Sequence, residues 1–190
     1  MGKLIVYNFI TVNGYFKGRN EDISWAKQNN SEEENKLAAE NAGSGNLLLF
    51  GRKTYEMMAA YWPSAEAIKN APELAAGINN AEKIVFSKTL RNADWNNTRI
   101  IKENMEEEVK KRKETGQNMT VLGSGTIVTQ LADAGLVDEF QLMMYPVAIE
   151  EGTPLLKDSR QKIELKLVST KTFNSGAVLL TYTPLGNEPF

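Results

Sequence analysis

The sequence contains neither cysteine nor histidine. These absences exclude disulfides, thiolate nucleophiles, Cys/His zinc sites, iron–sulfur clusters and every His-based triad. Proton transfer must then rest on Asp, Glu, Tyr, Lys, solvent or the substrate. A carboxylate-only Mg²⁺ site stays open to such a chain, although no motif marks one. Apolar runs are short, far below the ~18 residues of a spanning helix, and the amino end lacks the longer apolar segment and cleavage site of a signal peptide. A cationic surplus is also missing: 22 Lys and Arg face 24 Asp and Glu, a net charge of −2. That balance argues against nucleic acid and membrane as partners. The 190 residues suit a single domain over 1–190. A strand starting soon after Met1 and the lack of Cys fit a cytoplasmic protein.

What is present is an alternation of strands and helices. Leu4 to Ile10 reads as a strand, and Asn13-Gly14 and Lys17-Gly18 mark a loop. Ser31 with Glu34 three residues on forms a capping box for a helix reaching about Asn41. Leu47 to Phe50 is apolar without alternation, as in a strand buried on both faces. A short helix follows to Ala60, and Pro63 and Pro72 bracket an irregular stretch with room for one short helix. Strands are expected at Lys83–Ser87, Arg99–Lys102, Met119–Leu122 and Glu139–Val147. Asn104 and Glu107 read as a second capping box, and Gly135 stops the helix that follows Gly125. Lys162 to Phe173 alternates, with Ile163, Leu165 and Leu167 on one face, and a turn at Asn174-Ser175-Gly176 leads to a last strand from Ala177 to Thr183. The alternation predicts an α/β fold with a mainly parallel sheet covered on both faces, closed by an antiparallel hairpin.

Two strand-to-helix junctions carry ligand chemistry. Ligands of such sheets collect at the carboxyl ends of strands, where helix amino ends point outward. In Phe50-Gly51-Arg52-Lys53-Thr54, Gly51 admits close approach, Arg52 and Lys53 bring charge, and Thr54 brings a hydroxyl. Read plainly, it is also a tight turn with two solvated cations. In Leu122-Gly123-Ser124-Gly125-Thr126, two glycines clear the backbone ahead of a helix, as a pyrophosphate seat requires. A turn needed only for geometry has the same sequence.

Together the motifs resemble the dihydrofolate reductase superfamily. Gly51-Arg52-Lys53-Thr54-Tyr55-Glu56, Gly123-Ser124-Gly125, Leu136-Val137-Asp138-Glu139, Tyr145-Pro146-Val147 and Glu151-Gly152-Thr153-Pro154-Leu155 occur in the order of one branch. That branch is the reductase domain of bifunctional riboflavin-biosynthesis proteins and its stand-alone bacterial relatives. The resemblance implies a three-layer αβα dihydrofolate reductase-like fold and an extended NADPH. It assigns Gly51, Arg52, Lys53 and Thr54 to the adenosine phosphate and pyrophosphate, and Ser87 and Lys88 to the 2′-phosphate. Gly123, Ser124, Gly125 and Thr126 take the pyrophosphate, and Tyr7, Asn8, Gly14 and Phe16 border the nicotinamide.

By the same resemblance a carboxylate on the first helix anchors the substrate ring. Glu34 and Glu33 are the candidates, with Glu34 also claimed by the capping box. Trp25, Trp62 and Tyr61 are candidate walls of the substrate cleft, although such aromatics more often sit in cores. Ser124 departs from the Gly-Gly of dihydrofolate reductase, and no basic cluster is evident for the ribosyl phosphate of the riboflavin precursor. The expected activity is NADPH-dependent reduction of a pterin-like or aminopyrimidine-like heterocycle. The alternative is a non-catalytic dinucleotide- or small-ligand-binding protein of the same fold. A homodimer is expected through the long strand around Phe140–Val147 and the closing hairpin.

Overall fold

The computed structural model describes residues 1–27 and 31–186. Its eight-stranded sheet runs β5-β4-β3-β6-β1-β7-β10-β9. These strands are β1 (Leu4–Thr11), β3 (Leu47–Gly51), β4 (Lys83–Phe86), β5 (Thr98–Ile101), β6 (Met119–Leu122), β7 (Glu139–Tyr145), β9 (Leu165–Thr172) and β10 (Val178–Pro184). The first six are mutually parallel; β10 pairs antiparallel with both β7 and β9. The expected α/β architecture is therefore present, helices on both faces and an antiparallel end included.

The non-alternating run at β3 is explained by burial on both sides. Leu47 and Leu49 join one core, with Val6, Val109 and the buried side of α7 (Gly125–Asp133). Leu48 and Phe50 join another, with Tyr55, Leu74, Ile78 and Trp95. α6 (Met105–Glu114) contributes Val109 to the first. α3 (Arg52–Tyr61) and α5 (Pro72–Asn80) contribute Tyr55, Leu74 and Ile78 to the second. A third core gathers Trp25 and Ala26 of α1 (Ser24–Lys27) against Met143, Tyr145 and Phe173. Lys83 lies 1% exposed between these layers, its ammonium donating to the carbonyls of Asn79, Ala81 and Asn96 at 2.9, 2.7 and 3.1 Å.

Four expectations are corrected. The stretch after Pro63 holds two helices, α4 (Ala65–Asn70) and α5, because Ser64 caps the first and Pro72 opens the second at a position where no N–H is needed. The loop expected near Gly14–Gly18 contains β2 (Tyr15–Gly18), paired with β8 (Gly152–Pro154). Asn104 makes no side-chain cap: its backbone is left-handed, φ 58°, so the capping geometry is lost. The alternation of β9 does not bury Leu167, which is 49% exposed, because this strand is the sheet edge.

Candidate functional site

The carboxyl ends of β1, β3, β4, β6 and β7 open on one cleft of about 2040 Å³. Both glycine junctions line it, and Ser124 stitches them together. Ser124 Oγ accepts from Gly51 N–H at 2.9 Å and donates to Leu122 O at 3.1 Å. Its own N–H donates to Thr54 Oγ1 at 3.2 Å. The turn is made by a left-handed pair, Gly123 (φ 60°) and Ser124 (φ 59°). Ser124, expected with Gly123, Gly125 and Thr126 to hold a pyrophosphate, has its hydroxyl turned inward, which fixes the amino ends of α3 and α7 side by side. Neither helix has a side-chain cap, so both ends keep amide donors of the kind that bind anions. A Cβ on Gly123 would meet Thr54 Cγ2 at 3.1 Å, so the two loops are in close contact.

The cations at the first junction already have partners. Arg52 pairs with Glu56 at 3.4 Å, and Lys53 with Glu21 at 3.0 Å. Glu21 also receives Lys17 at 2.6 Å, and these bonds hold its carboxyl below the usual carboxylate range. Ser87 and Lys88 line the cleft beyond β4. The Ser87 hydroxyl accepts from the N–H groups of Thr89 and Leu90 and shapes that turn, while the Lys88 side chain is exposed.

Nearer the sheet centre, Asn8 of β1 is 2% exposed and lines the cleft. Neither its amide oxygen nor its amide nitrogen has a hydrogen-bond partner among the described residues. A buried amide left in this state costs roughly 1–3 kcal/mol, which a ligand able to bond both atoms would relieve. Phe16 of β2 lines the same region against Gly125 and Leu155. Gly14 keeps its positive φ of 84° in the turn before β2.

On the opposite face of β1 stands Glu34, on α2 (Glu32–Ala42). It is 4% exposed and lines the cleft. Its Oε2 accepts from the Tyr145 hydroxyl at 2.8 Å; its Oε1 accepts from Ser31 at 3.1 Å and from Ser175. The capping reading is met as well, since Glu34 N–H donates to Ser31 Oγ. Burial first, and then the Glu34 charge, raise the Tyr7 phenol above its ordinary range. Burial, the bond to Glu34 and its charge raise Tyr145 likewise. Tyr7 lines the cleft as a protonated phenol with no hydrogen bond from its hydroxyl among the described residues.

Three candidates fall outside the cleft, the first of them Gly14. Glu33 faces outward on α2 and pairs with Lys171 at 3.1 Å. Trp25 belongs to the third core, edge-on to Tyr145, with its indole N–H donating to Asp22 O. The causes differ: a step of one residue along the helix separates Glu33 from Glu34 by about 100°, and the short α1 turns its large apolar side chain inward. Trp62 and Tyr61 do line the cleft, packed edge to face. Sequence reasoning missed Tyr145 and Ser175 as the carboxylate's partners. They lie 111 and 141 residues from Glu34, a separation that no local pattern reports. No cluster of acidic side chains suited to a metal ion occurs among the described residues, and no helix among them is long and apolar enough to cross a membrane.

Two helix amino ends side by side at the carboxyl edge of a parallel sheet, beside a buried carboxylate, are the arrangement of a dihydrofolate reductase-like domain. Within that class, the chain belongs to the RibD C-terminal domain family, whose model matches residues 2–179. It is 32% identical over 181 residues to YyaP of Bacillus subtilis strain 168, covering 95% of this chain and 94% of that one. YwjB of the same organism is 31% identical over 71 residues, 37% of this chain and 40% of that one. The fold is shared with a protein from Shewanella sp. PV-4 described as a riboflavin biosynthesis protein (TM-score 0.74, 16% identity, 96% and 99% of the two chains). It is shared also with a pyrimidine reductase-like protein of Corynebacterium diphtheriae (TM-score 0.67, 14% identity, 98% and 93%).

Proposed function

We propose that the protein is an NADPH-dependent reductase of a small heterocycle, pterin-like or aminopyrimidine-like. The observation that carries this reading is Asn8, a buried amide with two unused hydrogen-bonding atoms on the cleft wall. A planar carboxamide, such as that of a nicotinamide, complements it on both atoms. Gly123, Gly125 and Thr126 with the end of α7, and Gly51, Arg52, Lys53 and Thr54 with the end of α3, would hold the phosphates. Lys88, with Ser87 shaping its turn, would meet the 2′-phosphate. NADPH, when bound, supplies the hydride. The chain's own residues would orient the ring, and solvent in the open cleft would provide the proton. That hydride would be taken up by an electrophilic ring carbon, and the proton by the adjacent nitrogen. Tyr7, whose raised pKa keeps the phenol neutral beside Glu34, would offer the ring a hydrogen bond and not a proton.

The test is a titration with NADPH and NADH followed by tryptophan fluorescence, with Trp62 in the cleft wall as reporter. The expected result is a saturable signal, tighter for NADPH, that Asn8→Leu weakens at least tenfold. Absence of any cofactor signal in the parent protein overturns the reading. Pairing of Arg52 and Lys53 with glutamates favours the second reading, a binding protein without turnover. It is separated by whether NADPH is consumed once a substrate ring is added.

A further inference from the structure

One ion-pair cluster at the cleft joins two separate elements. Glu21 ends the single 3-10 turn that follows β2 (Arg19–Glu21), and Lys53 is the second residue of α3. The Glu21 carboxylate accepts from both lysines of this corner, Oε2 from Lys17 at 2.6 Å and Oε1 from Lys53 at 3.0 Å. All three side chains line the cleft. The nearby pair of Arg52 and Glu56 is of another kind, since it spans one turn within α3 at 3.4 Å. Glu21 instead reaches Lys53 across 32 residues of chain.

Two features make the Glu21 contact releasable. It is open to water: the Glu21 side chain is 46% exposed and that of Lys53 67%, and ion pairs this exposed hold weakly. The backbone that carries it is also strained, with Asn20 (φ 57°) and Glu21 (φ 64°) both left-handed, a region that glutamate seldom adopts. The chain on either side is anchored independently of the carboxylate. Gly18 N–H donates to Asp22 O at 2.7 Å, and Arg19 pairs with Glu151 beside β8. Glu21 can therefore swing away while β2 keeps its place.

Lys53 stands at the uncapped amino end of α3, so a phosphate there and the Glu21 carboxylate would seek the same ammonium. A phosphate has more charge and more acceptor oxygens than a carboxylate, and it gains the helix amides as well. We infer that Glu21 is a built-in competitor of ligand phosphate, which occupies Lys17 and Lys53 and must be displaced before a phosphate at the end of α3 takes them. The inference rests on the reductase reading for the placing of cofactor phosphates at α3, and the experiment keeps the two separable.

The probes are NADPH and inorganic pyrophosphate, each titrated into the full chain by calorimetry. Glu21→Gln keeps the size of the side chain and removes its charge. Each probe that binds should bind this variant about three- to tenfold more tightly than the parent. The gain should shrink when Lys53→Met is added to both proteins, because the competition is for that ammonium. Glu33→Gln removes the same charge from outside the cleft and should leave the affinities unchanged. Unchanged or weaker binding to Glu21→Gln overturns the inference, as does failure of both probes to bind either protein. A gain of full size without Lys53, or an equal gain from Glu33→Gln, also overturns it, since the field of the whole protein would then be the cause. If pyrophosphate shows the gain while NADPH does not bind at all, the reductase reading fails and the competitor stands. If NADPH binds the parent and Glu21→Gln alike, the competitor fails and the reductase reading stands.

Discussion

The Phe16 ring lies directly over the α-carbon of Gly125: a Cβ built there would be 2.7 Å from Cζ and 2.8 Å from Cε1. Gly125 is therefore required by a protein side chain, whatever binds in the cleft. We expect Gly125→Ala to destabilise the ligand-free protein by about 1–3 kcal/mol, the usual cost of overpacking. Phe16→Ala in the same chain should recover most of that loss. The check is a double-mutant cycle by urea unfolding; additive effects would show that the ring moves aside freely.

Ser124 gives a second prediction. Ser124→Ala removes the acceptor of Gly51 N–H and keeps a side chain in a left-handed backbone, so about 1–3 kcal/mol is lost. Ser124→Gly also loses the hydroxyl but relieves the left-handed conformation, worth roughly 1 kcal/mol. The expected order of denaturation midpoints is parent, then glycine, then alanine.

Cofactor discrimination is the third. Lys88 is exposed at the cleft edge without an ion pair among the described residues, unlike Arg52. A charged hydrogen bond contributes about 1.5–3 kcal/mol, so Lys88→Ala should reduce the preference for NADPH over NADH by about tenfold. Arg52→Ala should do so too, with the loss lessened by the contact Arg52 already has with Glu56. Equal affinity of the parent protein for the two cofactors removes the case for a 2′-phosphate subsite.

Alkaline stability is the fourth, and two kinds of buried group act in opposite directions. Burial pushes the Lys83 ammonium down from 10.5 to about 8. Between those values the unfolded chain binds more protons, so this group makes stability rise with pH. Tyr7 and Tyr145 are held above the ordinary 10 of a phenol. The unfolded chain loses those protons first, so their contribution is complete below about pH 10 and is lost as pH rises further. Denaturant midpoints from pH 7 to 11 should rise and then fall. Lys83→Met should abolish the rise, and Tyr145→Phe should soften the fall.

Much of the fold was legible because its signals are local. The apolar run of β3, the alternating strands and helices, and Ser31 as a cap all follow from near neighbours in the chain. Pro72 was read as a break although it opens α5, since proline gives the same signal at a helix start and at an interruption. β2 escaped notice because four residues carry too little alternation, and its partner β8 is far away in sequence. The site divides in the same manner. Gly51, Arg52, Gly123 and Gly125 could be found from strand–glycine–helix order. The hydroxyls around Glu34, the inward turn of Ser124 and the burial of Trp25 depend on which distant surfaces meet. Asn8 was named by resemblance, but its lack of partners is a property of the packed molecule alone.

The bonds of Ser124 reach back 73 residues to Gly51 and 70 to Thr54. They have a consequence for the order of folding. β3 and β6 are direct neighbours in the sheet, yet β4, β5 and four helices are made between them along the chain. The two glycine junctions cannot meet until that long excursion has closed, and closing contacts of such separation are slow to form. The contact between them is therefore expected late in folding, and exchange of the Gly51 amide would report when it is complete.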